Sequence, residues 1–154
     1  YHIYNRNIEQ VLNNLLKKYE LTPGALSLEI TETMFFDNQN ELYFLLNHLQ
    51  QMGFRLEVDD FGSGYSSLNM LRNVPVDVLK IDKGFLDDTL NSEKGKIVIR
   101  HTIAMAKALQ LQIIAEGVET EEHVRFLKNS QCDIAQGYYF AKPMPLEEFN
   151  KLKF

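Results

Sequence analysis

The sequence has little of several features that would point to particular classes of protein. It contains a single cysteine, Cys132, which excludes an internal disulfide and fits a reducing compartment. No apolar run approaches the roughly 20 residues that a membrane-spanning helix needs, so we expect no direct insertion of this chain into a membrane. Acidic residues outnumber basic ones, and the net charge of −5 disfavours binding to a nucleic acid polymer. These absences favour a cytoplasmic domain, either free or as the cytoplasmic part of a membrane-anchored protein.

Hydrophobic periodicity divides the 154 residues into alternating strands and helices, as expected for one α/β domain. It predicts strands at 26–31, 56–58, 78–81, 113–115 and 134–140. It predicts helices at 8–19, 40–52, 67–72, 96–109, 120–127 and 146–152. Regular alternation of this kind favours parallel strands joined by right-handed crossovers.

Polar residues at the ends of the predicted strands favour a TIM-like (β/α) barrel over a doubly wound open sheet. They are Glu29, Asp59, Lys80, Glu116 and Gln136. A barrel places its active site at this end of its strands. The charged residues share one face of their strands, whereas the strands of an open sheet would be more uniformly apolar. Five strand–helix units do not close an eight-stranded barrel, so we expect an incomplete barrel that lacks its N-terminal strands.

The stretch 56–68 carries the densest group of candidate site residues. Asp59 and Asp60 follow a short apolar run and precede a Gly-Ser-Gly turn. Adjacent carboxylates repel each other unless a cation lies between them, and hard divalent cations prefer such oxygen ligands. Taken alone, the pair fits a metal site and a simple turn capped by Asp60 equally well.

Five motifs occur in order over nearly the whole chain. They are LEITE at 28–32, DDFGSGYSSL at 59–68, LKID at 79–82, AEGVET at 115–120 and QGYYF at 136–140. Together they resemble the EAL domain, the phosphodiesterase that linearises the bacterial second messenger cyclic di-GMP. The resemblance implies a (β/α) barrel that binds two Mg²⁺ or Mn²⁺ ions and releases the linear dinucleotide pGpG.

The resemblance also implies roles for individual residues. The positions that match metal ligands are Glu29, Asp59, Asp60 and Glu116. Lys80 matches a lysine that contacts the attacking water, and Glu119 and Gln136 match residues that order the water and metal network. Glu32 resembles a glutamate that steadies the following loop, of which the candidate residues are Phe61, Gly62, Ser63 and Gly64.

Three of these assignments have structural alternatives in the sequence itself. Lys80 could be a barrel lysine paired with one neighbouring carboxylate, although its place on the same face as Glu29 favours a site. Glu119 could be a solvated residue at the entry of a helix. Gln136 could do no more than satisfy a backbone group.

The chain departs from the family pattern in one respect. The Glu-Ala-Leu signature with its metal-binding glutamate is not among its residues, nor are the family's metal-binding asparagine and the arginine that contacts the ligand phosphate. We therefore expect residues 1–154 to be a partial EAL phosphodiesterase domain, a trimmed piece that is inactive or nearly so by itself. Two other functions stay open, a cyclic di-GMP receptor without catalysis and a dimerising signalling module.

The expected partners follow from the same resemblance and from one helix. Apolar residues around much of the 96–109 helix predict burial on two sides, which fits a homodimer contact. Upstream sensory domains, diguanylate cyclase-type domains or both are expected to be linked to a domain of this family.

Overall fold

The computed structural model describes residues 8–36, 39–63, 68–90 and 92–152 and shows a five-stranded parallel sheet with helices packed against it. The strands are β1 (Ser27–Thr31), β2 (Arg55–Phe61), β3 (Val78–Ile81), β4 (Gln112–Ala115) and β5 (Ile134–Ala135). The helices are α1 (Ile8–Tyr19), α2 (Gln39–Gln51), α3 (Leu68–Asn73), α4 (Lys83–Leu90), α5 (Glu93–Ala108), α6 (Glu121–Asn129) and α7 (Leu146–Phe149). Short 3₁₀ helices flank β1 at Pro23–Ala25 and Glu32–Phe36.

The strands lie in the sheet in the order in which they occur along the chain, β1-β2-β3-β4-β5. Every neighbouring pair is parallel, so each connection crosses over in the same direction. A doubly wound sheet would reverse this direction at a switch point, whereas a barrel keeps it. The predicted α/β class with barrel-type winding is therefore confirmed.

The two faces of the sheet differ as the alternating sequence pattern predicts. Leu56, Val58, Leu79 and Ile81 are fully buried in one hydrophobic cluster with the helices. Val78 has the parity of Lys80 and is also buried, but it lies outside that cluster. The side chains of the other parity thus point away from the helix layer. Glu29, Asp59 and Lys80 come together on that opposite face of the sheet.

Two aspartates hold the strands together at the end of the sheet opposite the predicted site. The Asp77 carboxylate accepts a hydrogen bond of 2.9 Å from the Leu56 backbone N–H. The Asp133 carboxylate accepts one of 3.0 Å from the Ile113 N–H and lies 2.6 Å from the Lys107 ammonium. Burial works to raise the pKa of Asp133, but these two hydrogen bonds outweigh it and hold that pKa below its ordinary value.

The last strand is shorter than the sequence pattern predicts. A strand at 134–140 was expected, but β5 ends at Ala135 and residues Tyr138–Phe140 form a turn. Gly137 packs so tightly on Val118 that a Cβ atom there would lie 2.2 Å from the Val118 backbone. The Tyr139 N–H then donates to the Val118 carbonyl at 2.9 Å. This long-range backbone contact bends the chain where local β propensity would continue the strand.

Helix α4 lies in a segment for which the hydrophobic periodicity predicts no helix. The Asp82 carboxylate accepts hydrogen bonds from the N–H groups of Gly84 at 2.8 Å and Phe85 at 3.3 Å. An aspartate that satisfies free N–H groups in this way is an N-cap, and it was the available signal for the helix. Asp82 itself lies outside α4 and caps its first turn.

Helix α5 packs one side against the core and leaves part of its apolar surface exposed in the single chain, so the predicted burial of a second side in a homodimer stays a prediction. Ile99, Ile103 and Ala106 are fully buried, whereas Ile97 and Val98 are 50% and 48% exposed.

In the part of the chain that the structure describes, no helix combines the length and the apolar character needed to cross a membrane.

Substitution of Asp133 by asparagine should destabilise the fold by about 1–2 kcal/mol at neutral pH, since a hydrogen bond to a charged group is lost. Because the folded pKa of Asp133 is lowered, its contribution is present above the ordinary aspartate pKa and is lost as the pH falls through the folded pKa. Thermal unfolding at neutral and acidic pH measures both effects.

Glu121→Gln provides the matched control for this substitution. Glu121 pairs with Arg125 at 2.6 Å on an exposed helix face, where ion pairs contribute about 0–1 kcal/mol. Equal losses of stability in Asp133→Asn and Glu121→Gln would contradict a special role of Asp133 in holding the strands together.

Candidate active site

The site is built around the ammonium group of Lys80. Its Nζ atom lies 2.7 Å from Glu29 Oε1, 2.9 Å from Asp59 Oδ1 and 3.0 Å from Glu116 Oε1. The side chain of Lys80 is only 8% exposed. A lysine ammonium has three protons and no acceptor, so these three carboxylates match its full hydrogen-bonding capacity.

The parallel register explains how residues far apart in sequence meet at this point. Thr31 in β1 pairs with Asp59 in β2, so Glu29 lies on the same face one pleat away. Lys80 lies in β3 on the same side of the sheet, and Glu116 follows directly after β4. Since carboxyl ends of parallel strands lie at one edge of the sheet, four successive strands each contribute one group to the cluster.

The cluster carries more negative than positive charge. With all groups ionised, three carboxylates and one ammonium leave an excess of two negative charges. Burial works to lower the pKa of Lys80, but the hydrogen bonds to Glu29, Asp59 and Glu116 outweigh it and raise that pKa well above its ordinary value. Lys80 is therefore a permanent cation at neutral pH.

Asp60 lies beside the cluster in a strained position. Its φ of 57° is in the left-handed region, and the register between β2 and β3 shifts between Val58 and Phe61. Such a bulge redirects side chains at the end of a strand. Burial first, and then repulsion from Asp59 and Asp82, raise the pKa of Asp60. Asp60 is thus near the three carboxylates that touch Lys80, but it is not one of them.

Glu32 lies where it can hold the turn that follows β2. It is buried, and its Oε2 atom accepts a hydrogen bond of 3.3 Å from the Gly62 N–H. Gly62 has a φ of 97°, and a Cβ atom there would lie 2.4 Å from the ring of Phe85 in α4. The turn is therefore packed between the 3₁₀ helix after β1 and helix α4.

The remaining predicted loop residues are placed differently from one another. Phe61 is the last residue of β2 and is buried in the core. Ser63 is exposed, and its N–H donates to the Asp60 carbonyl at 3.1 Å. Gly64 lies outside the described residues.

Glu119 and Gln136 line a cavity of about 310 Å³ together with Glu116. The backbone of Gln136 donates to the Ala115 carbonyl at 2.8 Å and accepts from the Val118 N–H at 3.0 Å. Of the described residues, only Glu29, Asp59 and Glu116 form ion pairs with Lys80. The structure thus brings Glu119 and Gln136 to the site's edge without placing them against the ammonium.

Lys83 and Asp87 belong to this edge and were missed by sequence reasoning. Lys83 Nζ lies 2.7 Å from Asp87 Oδ2 and 3.2 Å from Glu119 Oε1. These two hydrogen bonds raise the pKa of Lys83. Lys83 and Asp87 are four residues apart, which is the spacing of an ion pair on a helix. The spacing indicates such a pair only within a helix, and the sequence pattern predicts no helix in this segment.

The donor set suits a hard divalent cation in its chemistry, because every candidate ligand is a carboxylate oxygen. The spacing is a different matter. Among residues 8–36, 39–63, 68–90 and 92–152, no three His, Cys, Asp or Glu side chains form a group that could hold a metal ion as they stand. Glu29, Asp59 and Glu116 are spaced around an ammonium instead. The residues fit a metal by type, and Lys80 sets their separation.

Comparisons with known proteins identify relatives of the chain by sequence and by fold. The EAL domain profile matches residues 2–143. The chain is 40% identical over 141 residues to the cyclic di-GMP phosphodiesterase NbdA of Pseudomonas aeruginosa, covering 90% of this chain and 18% of NbdA. The structure of the PaMucR phosphodiesterase in complex with c-di-GMP superposes with a TM-score of 0.88 at 34% identity, covering 96% of this chain and 60% of that one.

A metal-containing structure is also similar. The manganese and cyclic di-GMP complex of Klebsiella pneumoniae BlrP1 superposes with a TM-score of 0.83 at 28% identity. The match covers 92% of this chain and 36% of that one. The chain therefore spans about a fifth of the length of the curated relatives it matches and between a third and two thirds of the solved ones.

Asp60→Asn should stabilise the fold and raise the melting temperature by about 1–3 °C at neutral pH. The substitution removes repulsion from Asp59, and asparagine tolerates the left-handed conformation well. The pKa of Asp60 is raised in the folded state, so ionisation of this carboxyl destabilises the fold. With respect to this group, the free energy of unfolding is highest below the unfolded pKa and falls as the pH rises through the folded pKa. The gain should hence shrink as the pH falls toward about 4.

Thermal unfolding across this pH range tests the sign of the effect. Asp133→Asn is the matched control, because the same chemical change there should lower stability at neutral pH. A lower melting temperature for Asp60→Asn at neutral pH would show that Asp60 has stabilising contacts that outweigh the repulsion.

Proposed function

Because the chain belongs to the EAL domain family, we propose that it supplies part of the active site of a metal-dependent phosphodiesterase that hydrolyses cyclic di-GMP to linear pGpG. One relative that matches the chain, NbdA, is named a cyclic di-GMP phosphodiesterase, and the similar PaMucR structure holds this ligand. The observation that carries the proposal is the convergence of Glu29, Asp59 and Glu116 on Lys80 within 3.0 Å. The cluster lies at the carboxyl ends of the strands, where barrel enzymes have their active sites.

EAL domains are metal-dependent, and the similar BlrP1 structure is a manganese complex. We infer that Glu29, Asp59, Asp60 and Glu116 would hold two Mg²⁺ or Mn²⁺ ions. Bound divalent ions of this kind supply a nucleophile at neutral pH and offset the charge that develops on phosphate oxygens. The excess negative charge of the cluster and the repulsion that raises the pKa of Asp60 both support cation binding here.

The protein's own side chains divide the remaining work. Lys80 stays protonated at neutral pH, so it acts as a hydrogen-bond donor and a fixed positive charge and not as a general base. Glu119 and Gln136 face the 310 Å³ cavity beside Glu116, where they can orient water. The half-exposed ring of Tyr138 lines the same cavity and offers a surface for a nucleobase.

The proposed assembly extends beyond the described site. Ile97 and Val98 form an exposed apolar patch on α5 that we assign to a homodimer contact. The relatives are much longer signalling proteins, one of them a bifunctional diguanylate cyclase and phosphodiesterase, so we infer linked sensory or cyclase domains. We place the domain in the cytoplasm, where a cyclic dinucleotide messenger is available.

An activity assay tests the proposed function. We expect little turnover from residues 1–154 alone, since the family signature and its metal-binding glutamate are not among them. A form extended upstream by about ninety residues, the length that would complete a barrel, should convert cyclic di-GMP to pGpG with Mg²⁺ or Mn²⁺. Chromatography of the nucleotides measures the conversion.

Glu116→Ala in the extended form should lower kcat/KM by at least about 100-fold, because even outer partners of metal ligands typically contribute 10–100-fold. Glu121→Ala, on the exposed face of α6, is the control and should retain activity. Tight binding of intact cyclic di-GMP without any turnover would reject the hydrolase and favour the receptor.

A further inference from the structure

We propose that the Lys80 ammonium and a divalent metal ion compete for the same carboxylates, so that metal binding releases Lys80 from at least one of its three partners. The inference rests on the metal site of the proposed function and goes beyond it. It assigns Lys80 a second role, as an internal cation that positions the ligands and sets their affinity for metal.

The Lys80 ammonium contacts three carboxylates that are also candidate metal ligands. Nζ of Lys80 lies within 3.0 Å of one oxygen each from Glu29, Asp59 and Glu116. These distances are typical of charged hydrogen bonds between an ammonium and carboxylates. An Mg²⁺ ion holds its oxygen ligands at about 2.0–2.1 Å, which requires a tighter group than one arranged around an ammonium. The same three oxygens cannot satisfy both cations in one arrangement.

The described residues contain no set of side chains that is already arranged to bind a metal ion. Among the described residues, no three acidic, histidine or cysteine side chains are close enough to hold an ion, although three carboxylates meet at Lys80. The ammonium therefore occupies the point on which the candidate ligands converge. A divalent ion can use them only after they rearrange.

The Lys80 ammonium and a divalent metal ion also repel each other. A unit charge beside a divalent ion at about 4 Å, in the effective dielectric of a protein, costs several times the thermal energy. Lys80 is 8% exposed, so solvent screens this repulsion weakly. Lys80 also gathers its partners, which favours metal binding, but it gathers them at the spacing of an ammonium and not at that of a metal ion. Removal of the charge should thus strengthen metal binding.

Exposure indicates which contact is given up most easily. The side chain of Glu29 is 52% exposed, compared with 20% for Asp59 and 24% for Glu116. Water can replace the ammonium at Glu29 at the lowest cost. Once released there, Lys80 has a free N–H to donate to a phosphate oxygen or a nucleophile. Metal binding would in this way prepare Lys80 for its part in hydrolysis.

A Mn²⁺ titration without substrate tests the competition. Free Mn²⁺ is followed by electron paramagnetic resonance in the unmodified 154-residue chain and in Lys80→Met, which removes the charge but keeps a long side chain. Lys80→Met should bind Mn²⁺ at least about 10-fold more tightly, because the repulsion described above is lost. Lys107→Met, which loses an ammonium–carboxylate pair at the other end of the sheet, should match the unmodified chain.

Equal or weaker Mn²⁺ binding by Lys80→Met with a native circular dichroism spectrum would overturn the competition and leave the metal site in place. No Mn²⁺ binding by any of the three proteins would overturn both the competition and the metal part of the proposed function. Turnover by the extended form remains an independent test of the latter.

A second measurement uses the unmodified chain and does not depend on the folding of a variant. With ¹⁵N-labelled lysine, the Lys80 ammonium should give a slowly exchanging NMR signal, since it is 8% exposed and lies within 3.0 Å of three carboxylates. Saturating Mg²⁺ should shift or broaden this signal and leave that of Lys107 unchanged. A Lys80 signal that does not respond when calorimetry shows Mg²⁺ to be bound would reject the proposal.

Discussion

The buried ammonium of Lys80 is the interaction on which the site depends. Three carboxylates from three different parts of the chain lie within 3.0 Å of it, and without a cation they would repel one another at the end of the sheet. The arrangement is costly to form, because desolvation of charged groups is only offset when geometry and hydrogen bonding are complete. Here three carboxylates lie within 3.0 Å of one ammonium, but Asp59 Oδ1 is buried without hydrogen-bond geometry to it, so the compensation is electrostatic in part. With all four groups ionised, the cluster still carries an excess of two negative charges.

The sheet makes this cluster possible through direction and parity. Parallel strands wound in one sense bring all their carboxyl ends to the same edge. Alternation within each strand then sends Leu79 and Ile81 into the helix-facing core and Lys80 to the other side. At the opposite edge, Asp77 and Asp133 accept backbone hydrogen bonds from neighbouring strands and secure their alignment. The fold therefore places the hydrogen bonds of Asp77 and Asp133, which hold the strands together, at one end of the sheet. It places the charged cluster around Lys80 at the other end.

Close backbone packing shapes the borders of the site. Gly62 leaves room for the Phe85 ring, and Gly137 leaves room for the Val118 backbone. A side chain at either position would collide with these neighbours. Helix α4 is held against the site in this way, and its Lys83 reaches Glu119 at 3.2 Å. The borders are thus set by contacts between segments distant in sequence, and local propensity does not predict them.

The sequence by itself determined the strand–helix alternation, the polarity of each strand face and the residues that carry charge to the strand ends. These features follow from periodicities of two and 3.6 residues, which are local and visible in the printed chain. Only the tertiary structure decided that Lys80 contacts three carboxylates at once, that Glu119 pairs with Lys83, and that the last strand stops at Ala135. Each of these depends on the register between strands or on backbone contacts across many residues. Such distances follow from how the whole sheet is aligned, and no local pattern specifies them.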